Sequence, residues 1–171
     1  MGDFEAYARA SSSRLLRLAV LLTDRQQDAE DLAQDALLHI QTRWATVSAA
    51  ENMDAYARRV LINYHLSKIR KKDLQTIRYF EDGLEISQPD HADLVTQRHL
   101  VRRALQRLPT RQRTAVVLRY YEQLETQAIS ALMDISESSV RSAISRGTDS
   151  LRGLLWASNE GNNDRHAAVR D

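Results

Sequence analysis

The sequence predicts an all-α protein: two small helical domains joined by a flexible linker, with a helix-turn-helix in the second. Three observations carry that prediction. Apolar residues recur at intervals of three and four in segment after segment, the spacing that lines one face of an α-helix. Only two prolines and five glycines interrupt 171 residues otherwise rich in Ala, Leu, Arg and Gln. Charge falls in blocks: six Arg or Lys between Asp54 and Lys72, five acidic residues between Glu81 and Asp93, then seven Arg between Arg98 and Arg119. A chain of this length makes one ordinary domain or two small ones, and the basic–acidic–basic order favours two.

The first helix is expected over Phe4–Leu22, with Leu15, Leu18, Ala19 and Leu22 as its apolar stripe. Thr23 or Asp24 breaks it, and either residue type can cap the next helix. The second helix runs from about Arg25 to Arg43. Ala29, Leu32, Ala33, Ala36, Leu37 and Ile40 form one buried face, while Glu30, Asp31, Gln34 and Asp35 lie mostly elsewhere. Residues 45–52 read as a loop. The third helix covers about Met53–Lys72, with Met53, Tyr56, Ala57, Val60, Leu61 and Tyr64 as its core stripe. Three such helices make a small bundle, giving a first domain over 1–72.

Residues 73–93 contain Gly83 and Pro89 and read as an acidic linker. Its charge either keeps it soluble and unfolded or lays it on a basic surface in imitation of nucleic acid. The second domain spans 94–156. Its first helix ends before Pro109, and Thr110 is the expected cap of a helix over Arg111–Tyr121, packed through Ala115, Val116, Leu118 and Tyr121. A short helix over Glu125–Met133 turns Ala128, Ile129 and Leu132 inward. Asp134 sits in a tight turn, where Asp tolerates unusual backbone angles. Ser136 caps the last helix, with Ser139 at the third position after it. Val140, Ala143, Ile144, Gly147, Leu151 and Leu154 or Leu155 form its packed arc, and Ala143 and Gly147 are expected to admit the preceding short helix closely. The helix ends near Trp156, leaving 157–171 as a polar, disordered tail.

The composition argues against several functional classes. The chain has no cysteine, so disulfides and thiolate metal sites are excluded, and the composition suits a reducing cytoplasm. The opening MGDFEAYARA lacks the layout of a signal peptide, and no apolar run approaches a membrane span, so no membrane insertion is expected. The five histidines are scattered, no Gly-rich phosphate loop is present, and no metal, cofactor or enzymatic activity is expected. The carboxylates of the second helix read as docking or solvated groups rather than an acid–base pair.

What remains is binding chemistry. A helix fits the major groove of DNA, where early residues reach base edges and Arg side chains hold phosphates. Ser138, Arg141, Ser142 and Ser145 are the candidates for bases, with Arg141 the best single reader. Arg146 and Arg119 are candidate phosphate anchors. The blander reading is an amphipathic helix with a solvated Arg/Ser face, or one that binds a protein. In the first domain, Asn63 and the loop at Asn52 are candidates for exposed bases, and the run Ile69-Arg70-Lys71-Lys72 for DNA backbone. That basic end also suits the helix dipole without any ligand. The acidic stretch Asp28–Asp35 is a poor DNA surface and reads as a docking face for a protein, or as charge that aids solubility.

Three stretches carry a resemblance to a known family. DAEDLAQDALLHI (Asp28–Ile40), AYARRVLINYHLSKIRKK (Ala55–Lys72) and ALQRLPTRQRTAVVLRYYEQLETQAISALMDISESSVRSAISRG (Ala104–Gly147) resemble, in this order, regions two and four of the extracytoplasmic-function (group 4) sigma factors of the sigma-70 family. The wording at Leu21–Leu22, Trp44–Val47 and Tyr56–Asn63 is similar to the actinobacterial sigma-E-like subgroup. The resemblance implies a factor that joins core RNA polymerase, on its β′ clamp helices and β flap, and directs initiation at specific promoters. Asp28, Glu30, Asp31, Gln34 and Asp35 would dock on the clamp helices. Arg58, Arg59 and Asn63, with the loop before them, would recognise and open the minus-ten element, whose backbone Lys68, Arg70, Lys71 and Lys72 would hold. Ser138, Ser139, Arg141, Ser142 and Arg146 would bind the minus-thirty-five element. An anti-sigma protein is a further implied partner. The chain departs from the family at Asp134, where Gly is frequent, at Ala143, where a basic residue is, and at Gln127 and Ala131, where Glu is. The competing reading is a helix-turn-helix regulator that binds duplex DNA without acting in initiation.

Overall fold

The computed structural model describes residues 2–78 and 97–167, with side chains over 3–72 and 98–156. The described residues are helical and divide into two compact units, Met1–Ser87 and Gln88–Asp171. The acidic stretch expected as a linker, Glu81–Asp93, lies outside the described residues.

The first unit contains α1 (Gly2–Leu22), α2 (Gln26–Thr42), the short α3 (Trp44–Ser48) and α4 (Met53–Arg78). Helix α2 packs on both α1 and α4, which also touch each other. The core is the predicted one except at Leu37, which is only half-buried: Leu15, Leu18, Ala19 and Leu22 of α1 and Ala29, Leu32, Ala33, Ala36 and Ile40 of α2 are all buried. Helix α4 buries more than its predicted stripe. Ile62, His65 and Leu66 join Ala57, Val60 and Leu61 in the interior, because a helix with neighbours on two sides buries a wider arc than one lying on a single partner. Met53, Tyr56 and Tyr64, expected in the core, are only half-buried.

Local geometry revises three expectations here. Neither Thr23 nor Asp24 caps α2, whose N-cap is Arg25 with an extended backbone and no side-chain cap bond. Thr23 instead closes α1, its hydroxyl donating to the Ala19 carbonyl at 2.8 Å. Residues 45–52 are not all loop, because α3 forms one turn anchored by fully buried Val47. Beside it, Trp44 stands between Phe4 and Tyr7, at ring-centroid distances of 5.5 and 5.4 Å. Tyr7 donates to the Met53 carbonyl at 3.2 Å, and burial, then the nearby Asp54 carboxylate, pushes its phenol above the ordinary range. Arg14 grips Asp54 with two bonds of 2.6 and 2.7 Å, pinning the start of α4 to α1.

The second unit contains α5 (Gln97–Gln106), α6 (Thr110–Tyr120), α7 (Thr126–Met133) and α8 (Glu137–Ala167). Helix α6 is central, buried continuously from Arg113 to Leu118, with α8 packed along it. Pro109, not Thr110, is its N-cap residue: the Pro109 carbonyl accepts the Arg113 N–H at 3.0 Å, and Thr110 lies within the helix. Tyr121, expected to pack, is exposed, and so is Ala128, although Ile129 is fully buried.

Two helices outrun their predicted ends. Helix α4 passes Lys72 to Arg78, inside the stretch 73–93 read as linker, and α8 passes Trp156 to Ala167, inside the stretch read as a disordered tail. Once a helix is nucleated, each added residue costs little, so the end of apolar periodicity need not end the helix.

Candidate nucleic-acid interface

The helix-turn-helix is built from α7, a three-residue turn and α8. Its sharpness rests on Asp134, which ends α7 in the left-handed region at φ 55° and ψ 47°. An L-residue there is strained unless it is Asn, Asp or Gly, so the side-chain choice matches the geometry. Ser130 ties the turn from below, its hydroxyl donating to the Ile135 carbonyl at 2.6 Å. Ser136 then caps α8: its Oγ accepts the Ser139 N–H at 3.2 Å and lies within 2.9 Å of both the Ser138 and Ser139 hydroxyls.

Gly147 holds α8 against its support, but the support is α6 rather than the expected α7. A Cβ at Gly147 would sit 2.6 Å from Val116 Cγ2 and 3.4 Å from the Gln112 carbonyl. With Val140 and Gly147 buried, Ser138, Ser139, Arg141, Ser142, Ser145 and Arg146 are all exposed. Arg141 reaches back to Glu137 at 3.3 Å, an exposed pair of small worth that a phosphate or base can displace. Ser138, Ser139, Ser142 and Arg146 also line a shallow recess with Ala143 and Gln112. Gln112 was missed in the sequence, and only the fold, by bringing the first turn of α6 beneath α8, reveals it.

Arg119 does not join this face. It stands in the last turn of α6, away from Gln112, and its Nη1 donates to the Leu124 carbonyl and pairs with Glu125 Oε2, both at 3.0 Å. It braces the α6–α7 connection, where Gln123 also takes a positive φ of 56°. These bonds use Nη1 and, as with Arg141, an exposed ion pair of this kind can yield to a phosphate.

In the first unit the acidic and basic sets lie on neighbouring helices. On α2, Asp28, Glu30, Asp31 and Gln34 are exposed. Gln26 donates to Glu30 at 2.9 Å and Gln27 to Asp31 at 3.1 Å, so these carboxylates are held in place along the helix. Leu38 stands 51 % exposed on the same outward face, one turn beyond Gln34, and went unremarked in the sequence. Its signal was an apolar residue opposite the buried stripe. Asp35 differs from the others: it is half-buried and pairs with Lys68 of α4 at 3.2 Å.

On α4, Arg58, Arg59, Asn63, Lys68, Arg70, Lys71 and Lys72 are all exposed. Asn63, Ser67 and Arg70 follow one stripe, the Ser67 hydroxyl donating to the Asn63 carbonyl at 2.8 Å and Arg70 reaching Ser67 Oγ at 3.5 Å. Asn52 proves to be the cap of α4, its Oδ1 accepting the Ala55 N–H at 2.9 Å. Asp35, Asn63, Tyr64, Ser67, Lys68 and Lys71 together line a groove between α2 and α4. No helix among the described residues is long and apolar enough to cross a membrane.

Comparison with known proteins finds matches over both units. Residues 5–75 match the family described as Sigma-70 region 2, and residues 98–151 match Sigma-70, region 4. The chain is 35 % identical over 158 residues to the RNA polymerase sigma-E factor of Streptomyces coelicolor, covering 91 % of this chain and 87 % of that protein. It is 34 % identical over 156 residues to the sigma-E factor of Streptomyces avermitilis, covering 90 % and 85 %. It is 28 % identical over 162 residues to the ECF RNA polymerase sigma factor SigM of Mycobacterium tuberculosis, covering 95 % and 82 %. Among solved structures, the fold is similar to the sigma factor RpoE of Bartonella quintana, solved in complex with the anti-sigma factor NepR. There the TM-score is 0.60 at 23 % identity, over 91 % of this chain and 98 % of that one.

Proposed function

Because this chain belongs to the extracytoplasmic-function (group 4) sigma-70 family and is related to the actinobacterial sigma-E-like factors, we propose that it docks on core RNA polymerase through α2 and grips promoter DNA at two points, with α4 and with α8. It is a transcription-initiation factor that acts by binding RNA polymerase, and it is not an enzyme. Its work is done by differential binding.

The docking surface is the outward face of α2, with Asp28, Glu30, Asp31 and Gln34 around exposed Leu38, offered to the β′ clamp helices. An apolar centre ringed by held carboxylates is a common plan for a protein contact. Asp35 belongs to this face and to the groove behind it. Arg58, Arg59 and Asn63 face the minus-ten element, and Lys68, Arg70, Lys71 and Lys72 its backbone. Ser138, Ser139, Arg141, Ser142, Ser145 and Arg146 face the minus-thirty-five element in the major groove, and the second unit also meets the β flap. The protein works in the cytoplasm, where polymerase is. The Bartonella factor was solved with an anti-sigma factor, and for this chain such a partner is part of the proposal.

The observation that carries the reading is the juxtaposition on the first unit of an acidic outward α2 and a basic α4. A duplex-only regulator needs the serine–arginine face of α8 but neither of these. Run-off transcription with core enzyme, with and without this chain, tests it. Specific transcripts that appear only with the chain support the proposal. Duplex binding with no affinity for core enzyme overturns it in favour of the ordinary regulator.

A further inference from the structure

The recess between α6 and α8 gathers polar groups that no other contact of the second unit uses. We propose that it seats one backbone phosphate of the upstream duplex, held jointly by Gln112 of α6 and Arg146 of α8, a role that rests on the duplex-reading assignment of α8 given above.

Position on the helix decides what the recess meets. Ser138, Arg141, Ser142 and Ser145 stand at i, i+3, i+4 and i+7, and so form the front of α8. Ser139, Ala143 and Arg146, at i, i+4 and i+7, form the adjacent stripe, and the recess brings that stripe beside Gln112. A helix lying in the major groove turns its front to base edges and its flanks to the sugar–phosphate walls. A recess on the flank therefore meets backbone rather than bases.

The donors of the recess are unspent. Arg141 and Arg152 pair within α8 and Arg119 pairs with Glu125, but Arg146 has no ion pair or hydrogen bond among the described residues. The same holds for the Gln112 amide and the Ser142 hydroxyl. Ser67, by contrast, spends its hydroxyl on the carbonyl four residues earlier, a common use of a helical serine. No carboxylate is among the residues that line the recess. A guanidinium, an amide N–H and a hydroxyl around one concavity, with no negative charge of its own, suit an anion, and the wall of a duplex supplies phosphate.

The walls are set before DNA arrives. Gly147 lets the two helices approach so closely that a Cβ on it would lie 3.5 Å from Gln112 Cβ and 3.4 Å from the Gln112 carbonyl. Ala143 stands one turn before Gly147, and its short side chain leaves the recess open. The Pro109 carbonyl accepts the Arg113 N–H at 3.0 Å and so closes the first turn of α6 around Gln112. A site built on two packed helices loses little freedom on binding. Phosphate contacts carry no sequence information, but they fix register. A phosphate bridged between α6 and α8 ties the duplex to the scaffold as well as to the reading helix.

The test uses the full chain bound to core polymerase, with a duplex carrying the upstream element of a promoter identified by run-off transcription. Each phosphate in turn is replaced by an uncharged methylphosphonate. At one linkage the wild-type complex should lose about tenfold in affinity. That loss should shrink in both Gln112→Met and Arg146→Ala. Gln112→Met keeps the length of the side chain but no donor. It should weaken every upstream sequence by the same factor, about fivefold, with the salt dependence unchanged. Arg146→Ala should lower the salt slope by about one. Gln112→Glu, which brings a carboxylate to the phosphate, should bind more weakly than Gln112→Met at an unaltered melting temperature. Undiminished affinity in Gln112→Met and Gln112→Glu overturns the phosphate seat alone. So does a pattern in which Gln112 and Arg146 act at different linkages. A changed preference at one base pair in Gln112→Met, with the phosphate pattern intact, also overturns it and makes Gln112 a base reader. A wild-type complex indifferent to every linkage and to the upstream sequence overturns the seat together with the reading of α8 beneath it.

Discussion

Helices α4 and α8 are both basic and both amphipathic, yet they are set in their units differently. Two arginines of α8 are paired within the helix, Arg141 with Glu137 and Arg152 with Asp149. A capped N-terminus, a left-handed turn and a glycine contact with α6 fix its position. It presents one exposed serine–arginine face, joined at its edge by Gln112 of α6. On α4 two charges are balanced from outside, Lys68 by Asp35 of α2 and Asp54 by Arg14 of α1. Its exposed surface adjoins a second surface of opposite sign, and its groove includes residues from both helices. The difference teaches that a helix serving one ligand can be isolated on its scaffold. A helix proposed to act while its neighbour docks is instead tied to that neighbour.

The comparison can be broken by mutation. The largest effect is expected from Asp31→Lys, which reverses a charge in the middle of the docking face without touching α4. It should lower core affinity at least tenfold, about 1.4 kcal/mol, and leave the upstream duplex contact intact. Asp35→Asn should instead move both core and minus-ten affinity, because it also unpairs Lys68. Equal effects of the two substitutions on both ligands, in titrations with core enzyme and with DNA, would erase the distinction between the helices.

Next in size is Arg141→Ala. Loss of one base-reading side chain should cost about 1–3 kcal/mol on the preferred upstream element and flatten the preference at one position. Uniform weakening across sequences in a duplex competition assay would make Arg141 a phosphate contact.

The smallest effects concern the setting of α8 itself. Gly147→Ala drives a methyl group into Val116 and should lower the melting temperature. Overpacking of about 1–3 kcal/mol is offset in part by about 1 kcal/mol of helix propensity. Gly153→Ala meets no atom within 4 Å and should raise the melting temperature by the propensity alone, up to about 1 kcal/mol. Thermal unfolding of the two variants side by side isolates the α6 contact. A rise in both would mean that α8 does not depend on it.

The sequence was most legible where one residue decides one local geometry. Ser136 with Ser139 marked the cap, Asp134 the turn, and the three-and-four spacing the buried faces of α1 and α2, whereas of the arc expected on α8 only Val140 and Gly147 are buried and the rest is half-buried. It was least legible where the partner is distant in the chain. Gly147 signalled a close approach, but a small residue does not say which helix approaches, and the answer was α6 rather than α7. Thr23 and Thr110 were plausible caps by type. The Thr23 hydroxyl reaches back to the Ala19 carbonyl, and Thr110 falls one residue inside its helix. Helix α3 was missed because five residues are too few to show a period.

The candidate site divides the same way. The serine–arginine face could be listed from periodicity alone, since exposure follows from the buried arc beside it. Asn52 and Arg119 were named for their chemistry, but the fold uses them as a cap and a brace. Tyr64 was assigned to the core because it continues the stripe from Tyr56 through Val60. Only the packing of α2 shows that this end of the stripe opens into a groove.

The central claim is a two-point grip in which α8 reads paired DNA and α4 meets opened DNA. Hydroxyl-radical footprinting combined with permanganate probing, on one promoter bound by core enzyme with this chain, tests it most directly. The account predicts two separate protected tracts, with reactive thymines only at the downstream one. One uninterrupted upstream tract without reactive thymines, unchanged when core enzyme is omitted, would contradict it.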